Sequence, residues 1–181
     1  MKQGSYRIRW ENLISRHVEE ARLDVERRDI FVSSDLLSDS MYYSIHFDVD
    51  WQLDDFELTV DGERLFHCQQ KMNGMWVDRI AKRIIEEFKG FEYFDLNITP
   101  LTHIMATKRL ELAPGESQTL DVALFDVAGG SYRAVKQTYT RLDDAGFLFQ
   151  DETEERTIHV NEEGMITEEA GRFKMLDFQI W

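Results

Sequence analysis

The stretch YSIHFDVDW, residues 43–51, alternates between apolar and polar side chains. Tyr43, Ile45, Phe47, Val49 and Trp51 fall on one side of an extended chain, and Ser44, His46, Asp48 and Asp50 on the other. That is the period of a half-buried strand. The same period continues outward. Phe56, Leu58 and Val60 alternate with Glu57 and Thr59, Asp61-Gly62 suits the positive φ angles of a tight hairpin, and a return strand runs from about Arg64 to Gln70. Further strands are expected near 91–98, 107–112, 119–127, 132–142, 147–150 and 156–160, with Pro114-Gly115, Gly129-Gly130 and Glu163-Gly164 as turns.

One segment keeps a different period. Val77, Ile80, Ala81, Ile84, Ile85 and Phe88 fall at helical spacing, with Arg79, Lys82, Arg83, Glu86 and Glu87 opposite. Asp78 stands in the first turn, Lys89 in the last, and Gly90 where an αL cap belongs. This spacing predicts one amphipathic helix over about 76–89, packed on the sheet. Nearer the N-terminus, Leu13, Ile14, His17, Val18 and Ala21 fit a helix, while Ala21, Leu23 and Val25 fit a strand. Periodicity leaves both open. No linker or repeat interrupts the chain, so the reading is a mainly β fold in a single domain, 1–181.

The charge balance excludes several partners. With 21 Lys+Arg against 35 Asp+Glu the formal net charge is −14, which argues against nucleic acid or an anionic membrane surface. No segment approaches a run of 18 apolar residues, so no membrane span is expected, and MKQGSYRIRW lacks the apolar core of a signal peptide. A lone Cys68 makes neither an internal disulfide nor a cysteine zinc site. These features together predict a cytoplasmic protein.

Catalytic patterns are scarce. His46, Asp48 and Asp50 share a strand face and form a weak candidate for one cation, against the plainer reading of a solvated face, so no metal site is assigned. His17, His67, His103 and His159 show no ligand spacing. Asp54-Asp55, Asp143-Asp144 and Glu168-Glu169 read as surface charge in turns. There is no nucleophile elbow, no phosphate-cradling glycine loop and no sign of a lowered Cys68 pKa. The chain therefore reads as non-enzymatic and without a cofactor. What stands out instead is polar residues among aromatics: Asp48, Asp95, Asn97 and Arg109 beside Trp10, Trp51, Trp76, Tyr43, Phe47 and Tyr139. That composition describes a pocket for an amphipathic ligand; it also describes an ordinary β core with a buried polar network, the plainer of the two readings.

Several motifs in order resemble the bacterial family known as Putative glycolipid-binding: Trp10-x-x-Leu13, Glu19-x-Ala21-x-Leu23 and Tyr43-x-Ile45-x-x-Asp48-x-x-Trp51. The strongest stretch is DLNITPLTHIMATKRLEL, residues 95–112, where Asp95, Thr99, Pro100, Thr102, Arg109 and Leu110 match the family's pattern. Gly115-Glu116-Ser117, Gln137-x-Tyr139-Thr140-Arg141-Leu142 and the segment VNEEGMI extend the likeness over roughly residues 6–175. His103 replaces a usual Asn and Ala106 a usual Pro, and the segment between Trp76 and Gly90 reads longer and more helical than the family norm. The resemblance implies a spiral β-roll, a long antiparallel sheet curled around a single helix, and favours a strand through Ala21, Leu23 and Val25.

The resemblance also implies binding of a lipid or glycolipid-like molecule inside the curl, with the 76–89 helix as plug or lid. The candidate ligand-binding residues are Trp10, Glu19, Tyr43, Asp48, Trp51, Trp76, Asp95, Thr99, Thr102, Arg109 and Tyr139. Two alternatives stand beside this reading. One is a self-associating module, a homodimer joined through sheet edges or the apolar ending KMLDFQIW, residues 174–181. The other is a metal-dependent or carboxylate hydrolase using the face of His46, Asp48 and Asp50.

Overall fold

A computed structural model describes residues 1–36 and 40–181. Among these residues fifteen strands form one sheet. The first eight are β1 (Gly4–Asn12), β2 (Val18–Val25), β3 (Asp29–Leu36), β4 (Met41–Asp48), β5 (Leu53–Val60), β6 (Glu63–Gln70), β7 (Trp76–Asp78) and β8 (Arg83–Ile84). Each is antiparallel to the next. The chain then passes through a 3₁₀ turn (Glu86–Phe88) to β9 (Tyr93–Leu96), a helix α1 (His103–Arg109) and β10 (Ser117–Asp126). It finishes with β11 (Ser131–Asp143), β12 (Gly146–Gln150), β13 (Glu155–Val160), β14 (Ile166–Glu169) and β15 (Phe173–Ile180). The spatial order runs from β8 back to β1, then β15 back to β9. β9 and β10 are parallel, which requires a crossover, and α1 provides it.

This order forces the sheet to curl. β8 and β9 are its two edges, yet only residues 85–92 separate them in sequence. Eight residues and their flanking bonds reach at most ~30 Å, whereas fifteen flat strands at ~4.8 Å spacing would span roughly 67 Å. The edges must therefore turn toward each other, and aromatic rings fill the seam. Phe56 on β5 lies 4.6 Å from Phe125 on β10 and 5.0 Å from Phe94 on β9, ring centre to ring centre. Trp76 packs on Phe88 at 5.8 Å, and Phe88 on Tyr132 at 5.4 Å. Among the described residues no backbone ladder joins the two edges, so the sheet is curled without being closed. Inside the curl α1 buries His103, Ile104, Met105 and Ala106.

The alternation seen in the sequence sets the core face of most strands. β4 buries Tyr43, Ile45 and Phe47, and Asp61 and Gly62 turn the β5–β6 hairpin at φ 51° and 80°. The N-terminal ambiguity resolves as strand β2, which buries Glu19, Ala21 and Leu23. Beyond Asp48 the alternation ends. Asp48 Oδ1 accepts the amides of Asp50 and Gln52, both at 2.9 Å, and Trp51 takes a left-handed φ of 60°. Trp51 thus returns to Phe47, at 5.5 Å, through a turn, while Val49 faces outward.

Two expectations are overturned. The 76–89 segment is no helix. Trp76–Asp78 adds to β6, Asp78 Oδ1 accepts the amides of Ile80 and Ala81, and Lys82 at φ 53° completes the reversal into β8. A helix here would leave the β6 edge unpaired, and Ile80 and Ile84, which it would have buried, are exposed. The expected strand at 107–112 does not form: residues 107–109 end α1, and residues 110–112 belong to no helix or strand. The first four residues of α1 are all buried, so no amphipathic period betrays it. The apolar ending forms β15, paired to β1 along its length and to β14 at its start. It packs within the protein's own sheet, with Leu176, Ile180 and Trp181 exposed.

Candidate functional site

The segment from Asp95 to His103 carries two buried polar networks. In the first, Glu19 Oε1 accepts from Thr99 Oγ1 at 2.9 Å, Ser34 Oγ at 2.9 Å and the Tyr43 hydroxyl. Thr99 Oγ1 also accepts the Leu101 amide at 3.1 Å, which fixes the approach to α1. These groups meet because Glu19, Ser34 and Tyr43 face inward on adjacent strands: Ala21 pairs with Ser34, and Ser34 with Tyr43. Glu19 Oε2 is buried and accepts no hydrogen bond. Desolvation lifts the Glu19 pKa to about 7 against the pull of its three hydroxyl donors. Desolvation and the neighbouring Glu19 carboxyl raise the Tyr43 phenol well above its usual range.

Glu19 is one of the residues lining a cleft of about 200 Å³ at one mouth of the curl. The mouth is where β1 ends, β2 begins, β3 ends and β4 begins, and Asn12, Val18, Leu36 and Met41 form its rim with Asn97 and Ile98 from the loop opposite. Trp10 lies beside Glu19 in register, fully buried, its indole donating to the Ile166 carbonyl at 2.7 Å.

The second network lies deeper along α1. Asp95 accepts from Thr102 Oγ1 and Gln137 Nε2, each at 2.7 Å. The Tyr139 hydroxyl lies 3.2 Å from Gln137 Oε1 and 2.7 Å from His103 Nδ1. His103 Nε2 faces Glu169 at 3.7 Å, and Glu169 pairs with Arg156 at 2.8 Å and Arg172 at 3.2 Å. Burial would depress the His103 pKa, but the Glu169 carboxylate outweighs it and holds the imidazole above its ordinary value. Burial would raise Glu169, and His103, Arg172 and Arg156 together keep it below the usual range. A buried carboxylate with three cationic partners is an arrangement that stabilises charge, not one that moves a proton. Glu169 is thus buried, in contrast to the surface charge expected of the Glu168-Glu169 pair.

The remaining candidates lie elsewhere. Asp48 and Trp51 sit at the opposite end of β4 from the Glu19 mouth, and Asp48 is engaged in its turn. Trp76 is buried in the seam, its indole donating to the Phe91 carbonyl at 3.0 Å. Arg109 lies over the Tyr93 ring and pairs with Glu92 at 2.7 Å. It meets neither Glu19 nor Asp48. His46 lies between Asp29 at 2.9 Å and Asp54 at 3.0 Å, stacked on Phe31. Among the described residues no group of three or more His, Cys, Asp and Glu is placed to hold a metal ion. Cys68 is buried and its thiol is pushed up to about 12 by desolvation, with Asp78 and Asp55 adding to it, so it is not a nucleophile at neutral pH.

Ser34 and Arg156 are not marked by any sequence pattern, Gln137 stands only within a family motif, and Glu169 reads as surface charge. Ser34 lies in a strand, residues 29–36, that the patterning did not separate. Glu169 lies in an acidic run that reads as solvated.

A family model described as "Putative glycolipid-binding" matches residues 7–174. The chain belongs to this family. The matched span holds both networks and the whole cleft lining. A crystal structure of a DUF1089 family protein from Pseudomonas aeruginosa is similar in fold, with a TM-score of 0.67 at 21% identity over 96% of this chain and 93% of that one. No curated protein matches the chain in sequence.

Proposed function

We propose that this member of the glycolipid-binding family binds the polar headgroup of an amphipathic ligand in the Glu19 cleft, without catalysis. One observation carries the reading: Glu19, a residue lining the cleft, keeps a buried carboxyl oxygen with no partner. A buried polar atom left unsatisfied is costly, and a ligand hydroxyl or amine that reaches it relieves the cost. Apolar walls with few fixed polar groups are the usual make-up of a ligand site. At about 200 Å³ the cleft is below the 300–1,000 Å³ range of pockets that enclose drug-sized ligands, so it suits one ring-sized group.

The apolar tail has a different place from the one the sequence suggested. Interior aromatics pack against one another, as Phe56, Phe94 and Phe125 do, and the plug helix is absent. The tail then starts along Val18, Leu36, Met41 and Ile98 and leaves by the mouth. Titrating the full chain with octyl glucoside below its micelle concentration, followed by amide NMR, tests this. The expected result is shifts confined to Asn12, Val18, Asn97 and Ile98. Shifts confined to other surfaces, or none, overturn it.

A further inference from the structure

The cleft's charge pattern narrows the ligand beyond the reading just given, on which this inference rests. Among the described residues that line it there is no lysine or arginine. Its two asparagines are turned to other work: Asn12 Oδ1 accepts the amides of Ile14 and Ser15, and Asn97 donates to Asp126 at 3.0 Å and accepts the Val127 amide at 3.1 Å. Arg172, next in sequence to the lining residue Phe173, is engaged by Glu169 and by the Asn97 carbonyl at 2.7 Å. His17 stands at the rim, two residues before Glu19.

Against that background Glu19 is asymmetric. Oε1 is saturated by hydroxyl donors, none of which carries a charge, while Oε2 is buried without a partner in a residue that lines the cleft. When the carboxyl ionises, its charge is buried with no cation beside it among these contacts. A neutral hydroxyl from a ligand offers Oε2 a hydrogen bond but no counter-charge. A protonated amine offers both, and a charge-assisted bond is roughly twice as strong as a neutral one. A phosphate or sulfate headgroup meets the opposite situation, an acid with no lysine or arginine among the lining residues.

We propose that the cleft selects a headgroup carrying a primary ammonium, an amino sugar, whose nitrogen donates to Glu19 Oε2. The ammonium sits at the cleft floor, the ring fills the cavity and the tail passes over the apolar rim.

The test compares octyl glucoside with its 2-amino-2-deoxy counterpart and the N-acetylated form of the latter, on the full chain at pH 7, by NMR titration of the cleft amides. The expected result is at least tenfold tighter binding of the free amine than of the other two, with the gap abolished in Glu19→Gln. The comparison on the unsubstituted chain stands whether or not the variant folds. Equal binding of all three at the cleft overturns the ammonium and leaves the headgroup reading intact. Binding of none at the cleft overturns both.

Discussion

Glu19 and Thr99 are 80 positions apart in the chain and meet at 2.9 Å inside the curl. That bond joins the strand bearing the only carboxyl among the described cleft residues to the loop that opens α1, because Thr99 Oγ1 also holds the Leu101 amide. The cleft wall and the buried helix are thereby parts of one hydrogen-bonded unit.

The Glu19 carboxyl gives stability a definite pH dependence. Its pKa is raised from 4.5 to about 7 in the folded chain, so the folded state holds the proton that the unfolded state has released. Stability attributable to this group is full below 4.5 and is lost as pH rises toward 7, a span of about 3 kcal/mol at most. Glu19→Gln keeps an acceptor for the hydroxyls and carries no charge. Urea denaturation at pH 5 and pH 8 is expected to show the variant near wild type at the lower pH and more stable at the higher. A variant equally destabilised at both would contradict this.

His103 and Glu169 act at the two ends of the range. The raised imidazole adds stability below its unfolded pKa of about 6.5 that fades as pH climbs through the folded value. The depressed Glu169 adds stability above its unfolded value that is lost as pH falls through the folded one. Glu169→Ala leaves Arg156 buried with only Glu154 to pair it among the described residues. A loss of about 3–5 kcal/mol is expected in chemical denaturation. A loss under 1 kcal/mol would show the cluster to be dispensable.

The seam depends on Phe125, which touches Phe56, Phe66, Phe88, Trp76 and Tyr132. Phe125→Ala is expected to cost about 3–5 kcal/mol. Because the two sheet edges meet only through side chains here, hydrogen exchange should quicken first in β7, β8 and β9. Uniform acceleration across all strands would argue for a core defect unrelated to the seam.

Deleting residues 174–181 removes most of β15, the strand on which β1 and the second half of the sheet join. The truncated chain is expected to lose its cooperative unfolding transition. A folded truncation with a changed mass in light scattering would instead make the tail an association element.

How much of this was legible in the sequence follows from the physics of each element. Hairpin strands with one face inward write their period into the chain, and residues 43–48 and 56–70 are read from it directly. The family motifs pointed to Glu19, Tyr43, Asp95, Thr99, Thr102 and Tyr139, which fall in the two networks. Asp48 and Arg109, in the same motifs, serve a turn and a surface pair, and a motif does not distinguish those uses. The 76–89 helix failed because pairing with the β6 edge and a left-handed Lys82 override a helical apolar spacing. The true helix hid because four consecutive residues of its seven are buried, right around the axis. Glu169 hid because burial of a charge depends on partners 13 residues upstream and 3 downstream, invisible until the strands pair.

The central claim is that the cleft ends on a desolvated carboxyl with one free oxygen. Titrating the Glu19 side-chain carbon by NMR on the full chain tests it most directly. The predicted midpoint is about 7 in the free protein, falling when the octyl amino sugar is added. A midpoint at the ordinary 4.5, unmoved by the sugar, would contradict the account.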